Sequence, residues 1–328
     1  MKKVFVFIFI LFLSHNSVFS QPAKKFTVAK PETVGMSSER LSRIDTFLND
    51  CVKKEYIPGA VAFIARKGKI VYYKSFGFDD IEKKTPLKKD QIFRIASQTK
   101  AITSIAALML YEEGKYNLDD PVSKFIPEFK NPVILKTFNE KDSSYITEPA
   151  KKEITIRQLF THTSGIGYAG IGTKEMNAIY AKAGVPSGVG NSNGVLSEKM
   201  KILGKLPLMH EPGEKFTYGL NTDLLGYLVE LWSGMSLDEF FRKRIFIPLG
   251  MDDTYFYLPE NKKSKLTTLY EEKDGKLQKM LSNVEGDPNY PLHKGTYYSG
   301  GGGLSSSIED YAKFLQMVLN KGHYNGKR

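Results

Sequence analysis

With 328 residues, 41% of them hydrophobic, the chain can bury a sizeable core as one large domain or two smaller ones. Its single cysteine, Cys51, excludes an intramolecular disulfide and a cysteine-clustered metal site. The net charge of +11 is spread over scattered lysines, such as Lys53-Lys54 and Lys262-Lys263. There is no arginine-rich stripe and no aromatic–basic pattern, so a solvated basic surface is expected and a nucleic-acid partner is not.

Residues 1–20 read as an export signal. Lys2 and Lys3 form a basic start, 4–13 is an unbroken apolar run, and Val18-Phe19-Ser20 offers a cleavage site before Gln21. The apolar run is too short to span a bilayer comfortably, and no Cys follows it. The expectation is an exported protein, periplasmic rather than fully secreted, with no stable membrane insertion after cleavage. One domain is expected over 21–328.

Met36-Ser37-Ser38-Glu39 begins a helix that runs to about Lys54, and Cys51 sits on its apolar periodicity (Leu41, Ile44, Leu48, Val52) as a buried thiol. Pro58-Gly59 breaks it. Two β-rich runs, 60–65 and 70–76, are joined by Arg66-Lys67-Gly68-Lys69 and predict a hairpin. After a loop over 85–90, Ile92-Phe93-Arg94-Ile95-Ala96 leads into a helix expected to open at Ser97. That helix carries Ile102, Ile105, Ala106, Met109 and Leu110 at core spacing and stops at Gly114. Residues 131–152 read as a polar surface stretch, and order resumes at 154–159. The Gly-, Ala- and Ser-rich segment 166–194 has the composition of a mobile loop beside a site. Further helices are predicted over about 222–233 and 237–244. Gly300 to Gly303 lack the Gly-Lys-Ser/Thr ending of a phosphate loop and read as a tight turn. Ser306 and Glu309 fit a capping box for a last helix ending near Asn320, with Gly322 as its stop.

The chemistry-bearing signal is Ser97-Gln98-Thr99-Lys100, the one Ser-x-x-Lys spacing in the chain. Three residues apart, the two side chains share a helical face. A Ser at a helix N-terminus lies where backbone N–H groups favour developing negative charge. The hydroxyl is a poor nucleophile until a base takes its proton; a lysine serves when burial or another cation favours its neutral form. Tyr218, between the Pro212-Gly213 turn and the next helix, is the second candidate for proton transfer. Read alone, Ser97 is equally an N-cap, Lys100 a surface lysine and Tyr218 one of eighteen tyrosines.

Taken together and in order, several segments resemble the serine β-lactamase-like hydrolases, which include class C β-lactamases, D-Ala-D-Ala carboxypeptidases of the same fold and family VIII carboxylesterases. They are Phe93-Arg94-Ile95-Ala96-Ser97 with Lys100, Leu159 to Gly165 around His162-Thr163-Ser164, and Pro212-Gly213 to Tyr218. Leu224-Leu225-Gly226, Pro248-Leu249-Gly250-Met251 and Gly300 to Leu304 before Asp310-Tyr311 complete the set. The resemblance implies an α/β (α+β) fold of the β-lactamase/transpeptidase type. In it an antiparallel sheet is flanked by helices, with a mostly helical insertion over about 97–285. It implies Ser97 as the nucleophile of an acyl-enzyme, Lys100 and Tyr218 sharing proton transfer, and the Ser97 backbone N–H as one oxyanion donor. His162 and Ser164 would support the site. No cofactor and no metal are implied.

Two departures qualify that picture. The β-lactamase pattern places an Asn two residues after the Tyr, where this chain has Leu220; Asn221 is the candidate substitute for binding the substrate amide. Tyr218-Gly219-Leu220-Asn221-Thr222-Asp223 is closer to the esterase-like members. The family's third motif is not found between Gly303 and Arg328, so a C-terminally incomplete chain is expected. The function expected is an exported serine hydrolase acting on an ester or amide of a small-molecule or peptide acyl substrate, esterase- or peptidase-like. β-Lactamase or D-Ala-D-Ala carboxypeptidase activity is the alternative, and a non-catalytic penicillin- or peptidoglycan-binding protein the rival from another class.

Overall fold

The structure is a computed structural model that describes residues 25–187, 190, 193–281 and 287–328. The leader expected at 1–20 lies outside the described residues, as do Glu285, expected to close the helical insertion, and part of the segment 166–194. Among the described residues no helix is long and apolar enough to cross a membrane.

Helix Ser38–Lys53 starts where the sequence places it, with the Ser37 hydroxyl accepting from the Arg40 N–H. Its apolar face, Leu41 with Ile44, Leu48 and Val52, packs on Tyr72 and Phe76 of the adjoining sheet. Cys51 is free and only half-buried, short of the buried thiol expected. The predicted hairpin forms from strands Gly59–Arg66 and Lys69–Asp80, paired antiparallel. Gly77, at φ +69°, lets the strands close up; a Cβ there would stand 2.4 Å from the Pro58 carbonyl oxygen. The short strand Thr27–Val28 adds to Lys69–Asp80 in parallel, whereas the other strand pairs among the described residues run antiparallel.

A second sheet has three strands in the order Ile92–Arg94, Ser305–Ser307, Thr254–Tyr255, with antiparallel pairing throughout. It brings strand Ile92–Arg94 together with segments more than 150 residues further along the chain and sets it beside the Gly-rich turn. The expected insertion is mostly helical, but residues 131–152 form an antiparallel hairpin, Val133–Phe138 with Tyr145–Pro149. Asn139 and Asp142 accept from the backbone N–H groups of Lys141 and Ser144, side-chain turns that reverse the strand. The segment 166–194 is also more ordered than its composition predicts: it carries helix Lys174–Lys182 and buries Ile166, Tyr168 and Ala169.

The main core lies between helices Thr99–Glu112 and Asn221–Ser233, which pack on each other. Ile102, Ala106 and Leu110 face inward as their spacing predicts, while Ile105 and Met109 lie at the core's edge. Full burial of an Ile or Leu side chain contributes about 1.5–3 kcal/mol. Tyr116 stacks on Trp232 at 3.9 Å to close one end. Gly226 lets Leu237 pack closely on the helix, since a Cβ there would stand 2.9 Å from Leu237 Cδ2. The last helix, Ile308–Leu319, is capped by Ser307 rather than Ser306: the Ser307 hydroxyl accepts from the Asp310 N–H. Ser306 instead lies buried within the strand, bonded to the Thr254 hydroxyl.

Candidate active site

Strand Ile92–Arg94 is fixed on both flanks before it delivers the nucleophile candidate. The Arg94 guanidinium donates to the carbonyls of Pro288, at 2.5 Å, and Thr267, at 2.7 Å, and the Ile95 N–H donates to Leu304. A 3-10 turn, Ala96–Gln98, follows, and the α-helix begins only at Thr99, two residues later than the sequence predicts. Ala96 is held at φ +42°, a left-handed conformation costly for any residue with a Cβ. The bend leaves Ser97 exposed at the mouth of the helix and Lys100 half-buried one turn further in.

The Ser97 Oγ has two partners. It shares a hydrogen bond of 2.7 Å with the Tyr218 hydroxyl, and Lys100 Nζ donates to it at 3.2 Å. Lys100 also donates to the Gly301 carbonyl at 2.6 Å and lies 4.8 Å from the Tyr218 ring centroid. The three sequence candidates are thus brought together around one oxygen atom.

Tyr218 is placed by the loop after helix Ile156–Phe160. Thr217 donates its N–H to the His162 carbonyl and Leu220 to that of Gly167, so the strip 217–220 is laced to the loop on both sides of the tyrosine. Gly219 is where the chains nearly touch, since a Cβ there would come 2.0 Å from the Ile166 carbonyl oxygen. The Tyr218 ring is sandwiched between His162, at 5.3 Å and 15°, and Tyr168, at 5.5 Å and 6°. Such stacks add about 0.5–1.5 kcal/mol beyond burial and restrict the ring's tilt.

Asn221 does not take the substrate-binding position expected of it. It is fully buried: its Oδ1 accepts from the Ser164 hydroxyl at 2.5 Å, and its Nδ2 lies 3.1 Å from His162 Nδ1. Because the oxygen is taken by Ser164, the amide nitrogen faces the ring, and His162 must accept at Nδ1 and so remain neutral. Burial, with the nearby Lys100 charge second, agrees by pulling the His162 pKa down to about 4. Asn221 therefore supports the ring that supports Tyr218. The cause is the register: Asn221 opens helix Asn221–Ser233, so its side chain faces the core.

The Gly-rich turn is more than a reversal. Gly300 accepts from the Thr103 hydroxyl at 2.7 Å, and the Leu304 N–H donates to Thr99 Oγ1 at 3.2 Å, so the turn docks on the first turns of the Ser97 helix. Side chains at these positions would collide, with a Cβ on Gly300 falling 2.6 Å from the Thr222 carbonyl oxygen. Sequence reasoning missed the Lys100–Gly301 contact, the Tyr168 ring and the buried Asp223 beneath the turn. The run of four glycines was the available signal that a backbone approaches closely there.

An exposed hydroxyl bonded to a phenol and an ammonium is an arrangement for nucleophilic attack with proton exchange. Among the described residues no group of three or more His, Cys, Asp or Glu is placed to hold a metal ion. Residues 44–328 match the family described as Beta-lactamase. The chain belongs to that family. Its relatives include the esterase EstB of Burkholderia gladioli, 29% identical over 84% of this chain and 69% of that protein. An uncharacterized protein of Mycobacterium tuberculosis is 32% identical over 83% of this chain, and the match spans 65% of that protein's length. Among solved structures, EstCE1, described as a hydrolase with promiscuous acyltransferase activity, superposes with a TM-score of 0.71. It is 27% identical, with 88% of this chain and 73% of that one covered. The β-lactamase/transpeptidase-like fold expected from the sequence is therefore the fold of this chain, and its relatives include proteins named as esterases and acyltransferases.

Proposed function

We propose that this protein is an exported serine hydrolase that cleaves carboxylic esters through an acyl-enzyme on Ser97. The observation that carries the reading is the pair of contacts on Ser97 Oγ, 2.7 Å to Tyr218 and 3.2 Å to Lys100. In the acylation step the Tyr218–Lys100 pair acts with one proton removed: Ser97 Oγ bonds to the substrate's acyl carbon, and the serine proton fills the vacancy on that pair. The Ser97 backbone N–H stabilises the oxyanion; one such donor is worth roughly 3–4 kcal/mol. The Tyr218 hydroxyl then delivers a proton to the departing alkoxide, and the C–O bond to the alcohol breaks. In deacylation a water, or a second alcohol, loses its proton to the same pair as it attacks the acyl carbon; the bond from that carbon to Ser97 Oγ then breaks, and the pair returns the proton to Ser97.

An ester is preferred over a β-lactam or D-Ala-D-Ala peptide because Asn221, the residue available to hold a substrate amide, is turned into the core. Export rests on the sequence of residues 1–20. The test is intact-mass spectrometry after incubation with a fluorophosphonate and, separately, with a fluorescent penicillin, beside a Ser97→Ala control. A single fluorophosphonate adduct, lost in Ser97→Ala and formed faster than any penicillin adduct, is the expected result. Faster penicillin labelling would overturn the ester preference. No adduct with either probe on folded protein would sink the hydrolase and leave a binding protein.

A further inference from the structure

Beneath the Gly-rich turn lies a titratable group with no part in the chemistry just described. Asp223, in the first turn of helix Asn221–Ser233, is fully buried. Its Oδ1 accepts from the Ser299 hydroxyl at 2.6 Å, and Oδ2 has no hydrogen-bond partner among the described residues. The Ser299 hydroxyl also accepts from the Gly302 N–H at 3.1 Å, so one hydroxyl ties the carboxyl to the body of the turn. Between these contacts stands Gly301, so close to the carboxyl that a Cβ on it would fall 2.3 Å from Oδ2. On its other side, the Gly301 carbonyl receives the 2.6 Å hydrogen bond from Lys100.

We propose that Asp223 is a positioning residue for Lys100, holding the turn that fixes the ammonium and acting through that one peptide as its buried counter-charge. The inference rests on the catalytic reading of Lys100. A carboxyl out of water is costly to ionise unless a cation offsets it. Burial pushes the Asp223 carboxyl above its usual range; the Ser299 hydroxyl, and after it the Lys100 charge, act against that shift in favour of the ionised form. The other titratable groups whose charge bears on it are the phenols of Tyr168 and Tyr297, both held neutral by burial. Loss of the Lys100 charge removes part of what favours the ionised form of Asp223. The attraction is reciprocal, so removing the carboxylate takes a favourable contact away from the ammonium.

The experiment is the pH dependence of fluorophosphonate labelling for the wild-type protein, Asp223→Asn and Ser299→Ala. Asn keeps the shape and an acceptor for Ser299 but has no charge. Its ascending limb should move to lower pH by about one unit, the size expected for loss of a nearby opposite charge. Ser299→Ala, which loosens the turn and keeps the carboxyl, should label more slowly with a smaller displacement of the limb. Superimposable limbs for wild-type and Asp223→Asn, whatever their heights, would mean that Asp223 is only structural. Should Asp223→Asn not fold, the reciprocal measurement decides: in Lys100→Met, carbon NMR should show Asp223 titrating at higher pH than in the wild type, and an unchanged titration overturns the coupling. Absence of labelling in every protein, wild type included, would instead count against the serine-hydrolase reading, while the NMR arm still reports on the pair.

Discussion

Acidification should strike this site first through His162. The ring is half-buried between Tyr218 and Asn221, and its pKa falls from the usual 6.5 to about 4 in the folded state. Between those values the unfolded chain holds a proton that the folded chain does not, so stability falls as pH drops through the window. At ~1.4 kcal/mol per unit the full displacement amounts to roughly 3 kcal/mol, and partial solvent access to the ring reduces it to about 2 kcal/mol. His162→Gln removes the titration while leaving an acceptor for the Asn221 amide. Urea unfolding of both proteins, compared between about pH 7 and about pH 4.5, isolates this contribution, because the other titrating groups are common to both. The glutamine variant should be the less stable at neutral pH, and the gap should narrow by about 2 kcal/mol as the pH falls. A gap that stays constant would refute the placement of a neutral histidine behind the tyrosine.

Other expectations concern the same network. Tyr218→Phe should fold normally, since the residue is partly exposed and the ring is kept, yet lower ester turnover by about 10²–10⁴-fold in a chromogenic assay. Asn221→Leu leaves the Ser164 O–H without its acceptor and His162 Nδ1 without its donor, and should cost about 2–3 kcal/mol in urea unfolding. Gly219→Ala forces the 217–220 strip away from Ile166; its melting temperature should fall, and fluorophosphonate labelling should slow even where the protein is folded.

Local patterns were read well where one element carries its own signal. The helix start at Ser37, the hairpin across Arg66 to Lys69 and the inward positions of the Ser97 helix follow from capping, turn residues and periodicity. The Ser97, Lys100 and Tyr218 cluster was reached through spacing and family resemblance, and the structure supplies the distances. What escaped was decided by long-range contacts. The hairpin over 131–152 was masked by its polar turn, although Val133 to Phe138 is largely apolar. Segment 166–194 has loop-like composition, yet Ile166 and Tyr168 find a core to enter. The true cap of the last helix is Ser307, because strand pairing with Thr254–Tyr255 engages Ser306 first. Asn221 was misassigned because spacing from Tyr218 does not reveal which face of the next helix it occupies.

The hold on Lys100 comes from the carbonyl of Gly301, a group every residue type possesses. No side-chain replacement can delete it; a replacement can only push it aside, and the missing clearance to Asp223 ensures that even alanine would. A saturation scan of this position should therefore give a uniform loss, indifferent to polarity, charge or size. Such a profile is easily mistaken for a turn requirement, although what is lost is the seat of a cation.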